Sequence, residues 1–118
     1  MKIVNLKNKP EPPWIYCGRR MGGKNPVEAS PLGNPFKLAG KSPAQIAACL
    51  AEYRQWLFAK IKDNDKQIMA LMRHIDDDSV LACYCCDKSG QAIFTEPERC
   101  HCQVIVKAHR YLKQSGKI

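Results

Sequence analysis

No apolar run in the 118 residues approaches the roughly 20 that a membrane-spanning helix needs. The opening stretch, MKIVNLKNKPEPP, is too polar and too broken for a signal peptide. Together these absences predict a cytoplasmic chain with no membrane partner. Acidic residues are scarce, 11 Asp and Glu against 19 Lys and Arg, which leaves a formal net charge of +8. Proline nearly vanishes after residue 43, with only Pro97 beyond it. Histidine is rare too, and outside His101 no His or Glu is well placed as a general base. That weighs against an enzyme and leaves catalysis open. There is no internal repeat or low-complexity tract.

What is present suits one compact domain over residues 1–118, since 45% hydrophobic and 25% charged residues are ordinary globular usage. Positive charge gathers early: Lys2, Lys7, Lys9, Arg19, Arg20, Lys24, Lys37 and Lys41 face only Glu11 and Glu28. A basic half favours anionic partners, a nucleotide or nucleic acid above all. Residues 10–43 hold all the prolines but Pro97 and most of the glycines, a long functional loop segment.

Around that segment the pattern resolves into elements. Lys2–Leu6 and Trp14–Cys17 read as short strands. Ser42-Pro43-Ala44-Gln45 opens a helix with a capping box and proline at its first position. Ile46, Leu50, Tyr53, Leu57 and Ile61 form its apolar stripe, ending near Lys62. A shorter helix carries Ile68, Leu71, Met72 and Ile75, and Asp76-Asp77-Asp78 reads as a solvated turn. Ser79–Cys85 is a short buried strand, and Val104, Ile105, Ala108, Tyr111 and Leu112 predict a last helix. The order β-β-α-α-β-α predicts an α/β or α+β domain, a short sheet with three helices packed on it.

The Gly-rich loop CGRRMGGKNP mimics a P-loop, but Asn25 replaces the required Ser or Thr and Pro26 prevents a helix from starting there. Its cations are better read with Arg19, Arg20 and Lys24 contacting phosphate and Asn34 holding the next turn or reading a base edge.

Seven cysteines stand at 17, 49, 83, 85, 86, 100 and 102. In a reducing compartment such density points to metal or thiol chemistry more than to disulfides. Cys83 and Cys85 share one strand face, and Cys100 and His101 open the next helix, so all four can converge at the strand's C-terminal end. Three Cys and one His form a zinc ligand set. An iron–sulfur cluster, a reactive thiolate at the helix N-terminus and inert packing are the alternatives. Cys17 and Cys49 read as core packing, and His74 and His109 as ordinary helix histidines.

The segments Gly18-Arg19, Gly33-Asn34-Pro35-Phe36, Tyr53-Arg54-Gln55-Trp56-Leu57, Cys83-Tyr84-Cys85 and Cys100-His101 occur in order over nearly the whole chain. In this the sequence resembles a family of small phage and bacterial proteins catalogued only as a domain of unknown function, number forty-three twenty-six in that series. It departs from the pattern in residues 86–99, where the family has only a few positions, and in the additional Cys86 and Cys102. The resemblance implies no settled activity. The residues themselves predict a small domain binding a nucleotide or nucleic-acid phosphate beside a Cys83, Cys85, Cys100 and His101 metal site. One alternative is a metal- or thiol-dependent enzyme on a nucleotide or nucleobase, with Cys85 or Cys100 at the chemistry. Another is a zinc-stabilised protein-interaction module.

Overall fold

The computed structural model describes residues 1–8, 11–20, 28–36, 40, 42–83 and 100–118. Three strands, β1 (Lys2–Asn5), β2 (Ile15–Tyr16) and β3 (Val80–Cys83), form a parallel sheet in the order β1-β3-β2. Three helices, α1 (Pro43–Lys62), α2 (Lys66–His74) and α3 (His101–Gln114), complete it, and a 3-10 turn at Leu6–Asn8 follows β1. The order β-β-α-α-β-α is the expected one, in a small domain of α/β or α+β class.

The last strand in sequence lies in the middle of the sheet. Leu81, Ala82 and Cys83 are all fully buried, as an unbroken apolar run in a central parallel strand requires. Lys2 to Asn5 pair with Val80 to Cys83, and Ile15 and Tyr16 pair with Leu81 and Ala82. Because strands β1 and β3 run in step, Asn5 and Cys83 end level with each other. The strand predicted through Cys85 stops at Cys83 among the described residues, and Cys85 lies outside them.

Local chemistry explains the helices. Ser42 Oγ accepts from Gln45 N at 3.2 Å and Gln45 Oε1 accepts from Ser42 N at 3.2 Å, a complete capping box ahead of Pro43. Leu50, Tyr53, Leu57 and Ile61 are buried along one face of α1, and Ile46 is half-buried. Asn64, in the left-handed region at φ 56°, ends that helix, a conformation Asn tolerates better than most residues. Asp65 Oδ1 then accepts from Ile68 N at 3.1 Å and caps α2. The three aspartates form a turn, with Asp78 N donating to Asp76 Oδ1 at 2.9 Å.

Two side chains depart from expectation. Tyr111 lies on the stripe of α3 yet is 47% exposed, because its ring packs edge-on to Phe58 at the rim of the core, 5.8 Å between centroids. His109 is buried, and its Nε2–H donates to the Ile75 carbonyl at 2.8 Å. It satisfies a carbonyl just past the end of α2, so it joins α3 to α2 from within the core.

Candidate metal centre

All three strands end at one edge, and the start of α3 lies over it. Cys83 is the last residue of β3, and Cys17 directly follows the last residue of β2. Cys17 N donates to Ala82 O at 2.9 Å, which carries the β2–β3 ladder one step further. In a parallel ladder, residues in register point to the same face. The step after Tyr16 and Ala82 therefore sets Cys17 beside Cys83.

The helix supplies the rest. Cys100 is the N-cap of α3, extended at φ −140° and ψ 137°, and stands just outside the first turn. Its Sγ accepts from Cys102 N at 3.4 Å, while Gln103 Oε1 accepts from Cys100 N at 3.0 Å. This is a capping box with sulfur in the place usually taken by a hydroxyl. The positive end of the helix dipole favours negative charge on that sulfur. Adjacent residues inside a helix diverge by about 100°. Because Cys100 precedes the helix, Cys102 rather than His101 turns back toward it.

The sulfurs of Cys83, Cys100 and Cys102 lie within 4.8 Å of one another, all fully buried. Cys83 Sγ and Cys100 Sγ are 3.2 Å apart, and none of the three is in a disulfide. Tetrahedral zinc, with Zn–S near 2.3 Å, sets its sulfurs about 3.8 Å apart, inside this range. The Cys102 thiol is held well above the ordinary thiol range. Its hydrogen bond with Cys100 is the strongest single influence and pulls it down, but hydrogen bonds to Cys17 and Cys83 and complete burial outweigh that pull. The Cys102 thiol is thus neutral without a metal, and a divalent cation would drive its proton off.

His101 faces elsewhere. Its Nε2–H donates to the Cys17 carbonyl, and its ring meets Tyr53 edge-on, 5.2 Å between centroids at 77°. Burial lowers its pKa, against the smaller opposing effect of the Cys17 carbonyl, so the ring is neutral. Of the four sequence-predicted ligands, Cys83 and Cys100 come together and Cys85 lies outside the described residues. Cys102, which the sequence reading kept outside the four ligands as an addition to the family pattern, is the third thiol of the cluster. Its signal was the C-x-C spacing of Cys100 and Cys102 across a helix start.

The residues read as phosphate contacts hold a loop together. Arg19 Nε donates to Asn34 O at 2.6 Å, and a second nitrogen of its guanidinium donates to the Phe36 carbonyl. Asn34 Oδ1 accepts from Phe36 N at 2.9 Å, and its amide nitrogen donates to Cys49 Sγ at 3.5 Å. Gly33 lies so close to the Gly18 carbonyl that a Cβ would stand 2.8 Å from its oxygen. Tyr53 Oη donates to Leu32 O at 2.6 Å and anchors the same loop to α1. Arg20 is exposed, and Lys24 lies outside the described residues. Arg19→Ala removes two charge-assisted bonds at an exposed position, where solvent weakens them, so about 1 kcal/mol of stability should be lost. Urea denaturation checks this, and an unchanged midpoint would mean that Arg19 does not hold the loop.

Among the described residues no helix is long and apolar enough to cross a membrane. The molecule is thus a small parallel-sheet domain with a thiol cluster where the strands end and α3 begins. The chain belongs to the family described as domain of unknown function DUF4326, whose model matches residues 4–110. No curated protein and no solved structure matches it. Motifs that are far apart in sequence meet in this fold: Gly18-Arg19 docks on Gly33–Phe36, Tyr53 reaches both that loop and His101, and Cys83 meets Cys100.

Proposed function

We propose that this chain is a zinc-stabilised binding module, in which Cys83, Cys100 and Cys102 hold one metal ion that fastens α3 to the end of the sheet. The observation that carries this reading is the convergence of three fully buried thiols within 4.8 Å. Thiolate ligands select soft or borderline ions, and zinc suits a tetrahedral, redox-inert site. An iron–sulfur cluster spreads its thiolates over several irons, whereas sulfurs this close surround a single ion. Complete burial favours a structural role over catalysis, since a catalytic metal needs a position open to water or substrate.

Binding of a nucleotide or nucleic-acid phosphate by Arg19, Arg20, Lys24 and Asn34 is the weaker reading. Arg19 and Asn34 direct donors to groups inside the protein. The net charge of +8 supports anion attraction in general but selects no ligand.

Metal analysis of protein purified without added metal tests the proposal. About one zinc per chain is expected, falling severalfold in Cys83→Ser and Cys100→Ser. Metal-free protein that takes up no zinc on titration would end it.

A further inference from the structure

The three converging thiols leave one corner of a tetrahedron to fill. We infer that Cys17 fills it, so that one zinc ion sits in a closed four-thiolate site joining β2, β3 and the start of α3. This rests on the metal reading above and names the ligand that completes it.

The sheet supplies the first support. Ile15 pairs with Leu81 and Tyr16 with Ala82, and the Cys17 N to Ala82 O bond of 2.9 Å extends that register by one residue. Cys17 and Cys83 are thereby neighbours on one face of adjacent parallel strands, the face on which Cys83 meets Cys100. Cys17 is fully buried, and its thiol is near enough to Cys102 to raise that thiol's pKa. Its Sγ also bonds to the Ile15 carbonyl at 3.5 Å, a weak contact that it can give up. Its sulfur is not among the three that lie within 4.8 Å of one another, and joining them takes a change of χ1 rotamer.

The backbone at Cys17 is held from both sides. Its N–H is bonded to β3, and its carbonyl accepts from His101 Nε2–H. His101 is therefore a positioning residue: its bond to a ligand residue's carbonyl couples α3 to the end of β2. The other described candidates are engaged elsewhere. Cys49 Sγ bonds to the Phe36 carbonyl at 3.6 Å and accepts from Asn34 at 3.5 Å, in the Gly33–Phe36 loop. Asn5, level with Cys83 on the opposite strand, accepts from Lys7 N at 2.9 Å and carries an amide, a poor zinc ligand. On zinc binding, each thiol releases its proton to solvent as its sulfur takes the ion.

Zinc K-edge absorption fine structure on the full chain counts the ligands. The parent protein should fit four sulfurs near 2.3 Å, and Cys17→Ser should fit three sulfurs plus one oxygen or nitrogen near 2.0–2.1 Å. Cys85→Ser and Cys86→Ser should keep four sulfurs. These two variants decide the matter should Cys17→Ser fail to fold, because a sulfur lost in either overturns the assignment of Cys17. Four sulfurs retained in Cys17→Ser would overturn it, as would three sulfurs and one nitrogen in the parent protein. Failure of the parent protein to bind zinc would instead remove the metal reading itself, and the assignment with it.

Discussion

Stripping the metal with a strong chelator should lower the melting temperature by about 15 °C. The size follows from linkage: an ion present at a thousand times its dissociation constant stabilises the folded state by about 4 kcal/mol. A domain of this length moves by roughly 4 °C per kcal/mol. The effect should be smaller than in zinc-finger peptides, which are unfolded without metal, because here Leu57, Met72, Leu81, Ile105 and Leu112 form a core of their own. Cys100→Ala should match or exceed it, since that change removes a ligand and also the N-cap of α3, worth about 1 kcal/mol more. Differential scanning calorimetry with and without chelator gives both numbers. Equal melting temperatures would mean that the thiols pack without an ion.

The second large effect belongs to Tyr53. Its ring is fully buried, meets His101 edge-on and Trp56 at 5.6 Å, and its hydroxyl bonds to the Leu32 carbonyl. Tyr53→Ala should cost about 3–5 kcal/mol, the range for truncating a large aromatic in a core. Tyr53→Phe keeps the ring and strands one buried carbonyl, so about 1–3 kcal/mol is expected. The two variants separate packing from hydrogen bonding in equilibrium denaturation. Equal losses in both would place the whole contribution in the hydroxyl. Because Tyr53→Phe leaves all the thiols in place, zinc content in that variant should stay at the parental level.

Much of the architecture was legible in the sequence because it depends on local rules. Ser42, Pro43 and Gln45 specify a helix start through hydrogen bonds within four residues, and the spacing of Leu50, Tyr53, Leu57 and Ile61 specifies its buried face. The apolar run Ser79–Cys85 marked a buried strand for the same reason, and its described part, Val80–Cys83, is the central one. Side-chain partnerships across the fold were less accessible. Cys17 looked like packing because its neighbours Ile15 and Tyr16 are apolar, and only the strand register sets it beside Cys83. His101 looked like a ligand because it adjoins Cys100, yet a helix start turns consecutive side chains apart and its ring goes to the Cys17 carbonyl. His109 looked like an ordinary helix histidine, since nothing nearby in sequence foretells the Ile75 carbonyl it satisfies. Arg19 looked like a phosphate contact because a cation on a glycine loop commonly is one, and its acceptors lie at Asn34 and Phe36. Periodicity records which face is buried; it does not record which atoms meet there.

Native mass spectrometry of the full chain tests the central claim most directly, because it counts ions on intact molecules. A single species carrying one zinc per chain is predicted, and it should become metal-free when Cys83, Cys100 and Cys102 are replaced together by Ser. A parent chain that remains at the metal-free mass in the presence of zinc would contradict the account.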